Sequence, residues 1–111
     1  MGVYIPCKGD YVAVSFDPQA GHEQQGRRPA LVVSNDLFNS GTGLCIVCPI
    51  TRTDRAFPFH VRIPAGEDVE GCVMVEQVKS LDCRSRGMRR IGKASAPVLA
   101  EALAILDSCL Y

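Results

Sequence analysis

Apolar residues in this chain gather in short runs closed by turn signals, and only beyond residue 95 do they recur with a helical period. Tyr11-Val12-Ala13-Val14-Ser15-Phe16 follows Gly9-Asp10 and stops at Asp17-Pro18, which predicts a first strand. Pro29 to Ser34 reads as a second strand, with Pro29 at its first residue, where a missing donor is tolerated. Asn35 to Asn39 predicts a short helical turn ahead of Gly41-Thr42-Gly43, and Leu44 to Thr51 a third strand. A fourth strand is expected from Phe59 to Ile63 and a fifth from Cys72 to Val78. Ser80 to Arg84 and Met88 to Lys93 are shorter candidates on either side of Ser85-Arg86-Gly87. Then Val98, Leu99, Ala102, Leu103, Leu106 and Leu110 follow a helical spacing, with Ser95 as the expected N-cap and Pro97 in the first turn. One terminal helix without alternating strands and helices argues against a doubly wound parallel sheet. It predicts a mainly β chain, five to seven short strands coiled into a small barrel with a C-terminal helix.

Composition agrees. At 111 residues the chain suits a single domain, 1–111, and 47% hydrophobic with 22% charged residues excludes disorder as the main state. No window approaches the apolar length of a membrane span, and residues 1–8 lack the basic segment and apolar core of a secretory signal, so a cytoplasmic protein is expected. In that setting the six cysteines read as reduced thiols. Cys45 and Cys48 form a CxxC, the spacing of redox and zinc sites. They stand in a strand-like run, however, where i and i+3 face opposite ways, so they read as small core residues. No second pair completes a tetrahedral set, and neither metal nor cofactor is expected.

The net charge is zero, but the charges are unevenly placed. Lys79, Arg84, Arg86, Arg89, Arg90 and Lys93 fall close together with only Asp82 opposing them. Such a run is commonly a solvated face; it also suits phosphate binding. Arg27-Arg28 and Arg52, Arg55 lie on separate loops that a small barrel could bring to one side. The polar stretch from residue 17 to 27 is longer than a hairpin needs and holds His22, Glu23 and Gln24, candidates for contact with a substrate. His60, between Phe59 and Val61, reads as structural. Familiar hydrolase and nucleotide-binding signatures are absent.

Three pieces in order carry more than any one of them: Gly26-Arg27-Arg28-Pro29-Ala30-Leu31-Val32-Val33-Ser34, Cys48-Pro49-Ile50-Thr51, and Glu76-Gln77-Val78-Lys79-Ser80-Leu81-Asp82. Together with Gly9-Asp10-Tyr11-Val12-Ala13-Val14 at the start and Gly21-His22-Glu23-Gln24, they resemble the MazF/PemK family of bacterial toxin–antitoxin systems, collinearly over nearly the whole chain. The resemblance implies an SH3-like or CcdB-like barrel, a homodimer, and sequence-specific, metal-independent cleavage of single-stranded RNA that inhibits translation. It places the catalytic arginine and threonine on Arg28 and Thr51, with a loop glutamate on Glu23. Arg27, His22, Gln24, Arg52, Lys79, Arg84, Arg86 and Arg89 are the expected RNA-binding residues. The partner it implies is an antitoxin whose acidic C-terminal segment occupies the basic surface, and the segment from Glu76 to Leu81 is expected near the dimer interface.

The residue types suit that chemistry. RNA cleaves itself when its 2′-OH attacks the adjacent phosphate, giving a 2′,3′-cyclic phosphate and a 5′-OH, so the protein's work is positioning and charge stabilisation. A guanidinium offers phosphate a fixed fork of donors, and a threonine hydroxyl can donate to the developing oxyanion. The general base stays open between Glu23, His22 and a held water. Two other readings keep the same surface: a gyrase-binding toxin of the CcdB type, and a non-catalytic RNA-binding module.

Overall fold

The protein is described by a computed structural model over residues 4–16, 27–53 and 57–111. Strand β1 (Asp10–Ser15) pairs antiparallel with β2 (Arg27–Val32), and β2 with β3 (Leu44–Thr51). Helix α1 (Asp36–Thr42) connects β2 to β3. It starts on Asn35, whose side-chain oxygen accepts the Phe38 N–H, and ends on Gly43 at φ +77°. The turn expected over 35–39 is therefore a two-turn helix, because Gly43 rather than Gly41 supplies the left-handed stop.

Strands β4 (His60–Arg62) and β5 (Cys72–Met74) pair with each other, and β5 continues onto β3. Strand β6 (Lys79–Asp82) also lies on β3, and β7 (Arg89–Lys93) closes onto β1. The spatial order is β4-β5-β3-β2-β1-β7, with β6 beside β3. Among the described residues that makes seven strands, all paired antiparallel, followed by helix α2 (Ala96–Leu110). This is the mainly β architecture with a C-terminal helix that the sequence predicts.

Two details differ from expectation, and both shape the site. Strand β2 starts at Arg27, two residues earlier, because β1 pairs with it along its whole length: Ser15 opposes Arg27 and Ala13 opposes Pro29. Pro29 still sits outside the stretch bonded to β3, which covers only Ala30 to Val32, so the missing N–H falls where one flank is unpaired. The expected strand over 72–78 breaks at a 3₁₀ turn, Val75–Gln77. Val73 pairs with Ile50 and Lys79 with Val47, so six steps along this segment match only three along β3. The surplus leaves the plane of the sheet as the turn. Val75 stays in the core while Glu76 and Gln77 are exposed.

Side-chain alternation gives the sheet an apolar layer on each face. Tyr11, Leu31, Cys48, Ile50 and Val73 share one with Val98 and Ala102 of α2. Val12, Val14, Val32, Cys45, Val47 and Leu81 form the other. Cys45 and Cys48 thus lie in different layers, as their i, i+3 spacing requires. Ser95 begins α2 without capping it; its hydroxyl and amide instead donate to the Glu67 carboxylate at 2.6 and 3.3 Å, and the Tyr11 hydroxyl donates to the same group at 2.6 Å. The helix is capped from another loop, which also ties it to β1.

Candidate functional site

Strand pairing builds the site. Arg89, Ala13 and Pro29 form one row across β7, β1 and β2, and Arg27 stands beyond Pro29 on the same strand. These residues, with Arg28, Arg52 and the carboxylates Asp68 and Glu70, surround an open depression of about 520 Å³. Arg27, Arg28, Arg52 and Arg89 are all exposed, and among the described residues none is held in an ion pair. The turn before β7 makes room for one of them: Gly87 has φ +61°, and the Arg27 guanidinium occupies the space a Cβ would fill. The carboxylates of Glu67, Asp68 and Glu70 share the hollow, so its positive charge is concentrated where the four guanidiniums stand, and that is the part suited to phosphate.

Thr51 approaches from β3. The β2–β3 ladder ends with Ala30 opposite Pro49; Arg28 and Thr51 each lie two residues beyond that last pair. Thr51 accepts the Thr53 N–H through its hydroxyl oxygen at 3.1 Å, leaving the hydroxyl hydrogen available to donate. It faces a second depression, of about 370 Å³, with Thr53, Phe57, His60, Glu76 and Gln77, while Arg52, next along the chain, lines the arginine-rich one. Thr51 and Arg52, adjacent in the chain, thus line different hollows.

The structure divides the remaining basic residues. Arg90 and Lys93 approach Asp10 at 3.4 and 3.8 Å; Asp10 is 2% exposed and also accepts the Tyr4 hydroxyl and the Cys7 N–H. Their charges compensate a buried carboxylate. Arg86 donates to the Ser15 carbonyl at 3.4 Å, and Lys79 lies 5.3 Å from the Phe16 ring centroid. Arg84 borders a small hollow with Tyr4 and Asn39. Of the run from Lys79 to Lys93, only Arg89 stands in the arginine depression. His22, Glu23 and Gln24 lie outside the described residues.

His60 and Glu76 are what the sequence reading passed over. The His60 Nε2 lies 3.1 Å from the Glu76 carboxylate, its ring packs edge-on to Phe57 at 5.1 Å, and its Nδ1 is buried with no partner. The signal missed is the 3₁₀ turn, which moves Glu76 from a strand face to a position beside β4. Burial, with the Glu76 charge adding to it, pushes the Cys48 thiol up to about 12, so this cysteine behind the site is an inert thiol.

Comparison with known proteins agrees with this construction. Residues 8–110 match the family model described as PemK-like, MazF-like toxin of type II toxin-antitoxin system. The chain is 45% identical over 106 residues to the endoribonuclease toxin ChpB of Escherichia coli K12, covering 91% of this chain and 90% of that one. It is 40% identical over 89 residues to the endoribonuclease toxin MazF of the same strain, covering 80% and 79%. The crystal structure of MazF from Deinococcus radiodurans superposes with a TM-score of 0.87 at 46% identity, covering 97% and 98%. A MazE–MazF complex from that organism gives 0.86 at 40% identity, covering 97% of each chain. With its sheet order, its arginine depression and a family match spanning all but its ends, the chain belongs to the PemK-like, MazF-like toxins of type II toxin–antitoxin systems.

Proposed function

We propose that this protein is an endoribonuclease toxin that cuts single-stranded RNA without a metal, acting in the cytoplasm as a homodimer. The observation that supports this reading is the set of four guanidiniums around one depression, none in an ion pair among the described residues, with Thr51 at the end of the neighbouring strand. The relatives named as endoribonucleases support the reaction class.

The geometry suggests a division of labour. Arg28 and its neighbours hold the scissile phosphate and the backbone beside it, and the Arg28 fork neutralises the non-bridging oxygens as the 2′-OH attacks. The Thr51 hydroxyl donates to the same developing charge. The bond from O2′ to phosphorus forms as that to O5′ breaks, and the proton lost from the 2′-OH ends on the 5′ oxygen, giving a cyclic phosphate and a 5′-OH. Glu23 and His22, which precede β2 in the chain, and a held water remain the candidates for moving that proton.

The same depression suits an acidic peptide. A relative solved as a MazE–MazF complex supports an antitoxin as partner, and a disordered acidic segment of that antitoxin would compete with RNA for Arg27, Arg28, Arg52 and Arg89. The test is incubation of purified protein with a long single-stranded RNA in EDTA, with and without a short Asp/Glu-rich peptide from the adjacent gene. Discrete fragments with 5′-OH ends, lost when the peptide is added, are expected. A band shift with intact RNA would favour the binding module, and topoisomerase inhibition with neither effect the CcdB-type reading.

A further inference from the structure

The depression that holds Thr51 differs in chemistry from the arginine-rich one. Its described lining has no lysine or arginine; it offers the partly exposed Phe57 ring, Met74, the Gln77 amide and the His60–Glu76 pair. Among the described lining residues a phosphate would meet the Glu76 carboxylate and no cation. The volume of about 370 Å³ lies in the range of small-ligand clefts.

Among the described residues the buried Nδ1 of His60 has no partner, which favours one hydrogen-bond arrangement of the pair. If Nε2 carries the hydrogen and donates to Glu76, Nδ1 is a bare lone pair, and an unsatisfied buried acceptor is the tolerable kind. If the ring carries both hydrogens, or Glu76 donates to Nε2 instead, Nδ1–H becomes a buried donor without an acceptor. The first arrangement is the one this environment supports. His60 then donates through Nε2, and the Glu76 carboxylate acts as acceptor. One carboxylate oxygen is held by the ring, and Glu76 is exposed, with its other oxygen free of any described partner.

The geometry points to this depression as the seat of one unpaired RNA base that presents an exocyclic amino group to Glu76, with His60 as the residue that positions the carboxylate. An acceptor-only group pairs with an amino N–H of adenine, cytosine or guanine. It is repelled by uracil, whose single imino N–H is flanked by two carbonyl oxygens. Phe57 supplies the aromatic surface on which unstacked bases settle. The inference rests on the ribonuclease reading above and adds a substrate class to it: RNA with an amino-bearing base next to the scissile phosphate.

The test maps cut sites on a long RNA of mixed sequence with the unaltered protein and with Glu76→Gln, His60→Phe and His60→Gln. The readout is base frequency at each position around the cut, which is independent of total rate. Uracil is expected to be depleted at one position for the unaltered protein. Glu76→Gln, nearly isosteric on an exposed side chain and so safe for folding, admits uracil there by about tenfold. His60→Phe relaxes the same position, and His60→Gln, which returns a donor near Nε2, restores the discrimination. Cutting with unchanged base frequencies in Glu76→Gln and His60→Phe overturns this inference alone and leaves the pair a packing feature. Absence of cutting by the unaltered protein removes the ribonuclease reading and this one with it.

Discussion

The α-carbon of Gly71 lies against the main-chain carbonyl of Thr51, so close that a Cβ added to Gly71 would overlap that oxygen. Gly71 also adopts φ +124°, and the next residue, Cys72, pairs with Thr51 across β5 and β3. The candidate catalytic threonine is thus located by backbone packing, and a missing side chain is what permits it. Gly71→Ala is expected to cost on the order of 1–3 kcal/mol in chemical denaturation and to lower RNA cleavage beyond what that loss explains. Gly66→Ala is the control: Gly66 has φ +99° but nothing near its missing Cβ, so stability should fall with cleavage by the folded protein retained.

Arg28→Ala should leave the denaturation midpoint nearly unchanged, since the side chain is exposed and in no ion pair among the described residues, while cleavage is nearly lost. Arg28→Lys should also cut poorly, because an ammonium cannot reproduce the guanidinium fork. Thr51→Ala removes one donor to the oxyanion and is expected to slow cleavage by about 10²–10³. Single-turnover rates on one RNA check all three, and full activity in folded Arg28→Ala protein would refute the site assignment.

Glu67 makes stability depend on pH. Burial pushes its carboxyl up, but hydrogen bonds from the Ser95 hydroxyl, the Tyr11 hydroxyl and the Ser95 amide outweigh that and hold it below its ordinary value of 4.5. A carboxyl lowered by folding contributes stability above its unfolded pKa and loses it as pH falls through the folded one. Glu67→Gln should therefore be less stable than the unaltered protein at neutral pH, by no more than about 1 kcal/mol because the carboxylate is largely screened by solvent. The gap should narrow as pH drops below 4.5, and denaturation curves at several pH values measure it.

The thiols should sort by position. Cys45, Cys48, Cys72 and Cys83 are buried, and burial raises Cys45 and Cys48 well above the usual thiol range. Native protein treated with an alkylating reagent should be modified first at Cys109, which is exposed, and the four buried thiols only after denaturant is added. Mass spectrometry of timed samples reads the order. Replacing Cys45 and Cys48 together by Ala should lower the unfolding free energy while leaving the chemistry at Arg28 intact, since they pack in separate layers behind the site.

Local patterns located the strands, because a run such as Leu44 to Thr51 alternates between two apolar layers and carries its own evidence. Arg28 and Thr51, at strand ends, were reached only through the resemblance to the MazF/PemK family, since an exposed arginine and a strand-end threonine carry no signal of their own. Local patterns did not give the grouping of the basic residues. Arg89 and Arg90 are neighbours in sequence, yet alternation on β7 sends one to the arginine depression and the other to buried Asp10. Nor did they reveal that His60 meets Glu76, a contact sixteen residues apart that depends on a register offset in a third strand. A run of β-formers through Val78 looks continuous until its pairing partner proves too short for it.

That offset separates length from architecture. The strands on either side of Val75–Gln77 are anchored to β3 by their own pairs, so the turn between them can gain, lose or exchange residues while the sheet keeps its order. The Arg28 side of the surface is tied to β1 and β2 and has no such slack. Within one scaffold, then, the backbone of the turn holding Glu76 and Gln77 has room to shift while the arginine depression is held fixed. A designer seeking variants with new preferences would randomise these two exposed positions first and leave the strand register alone.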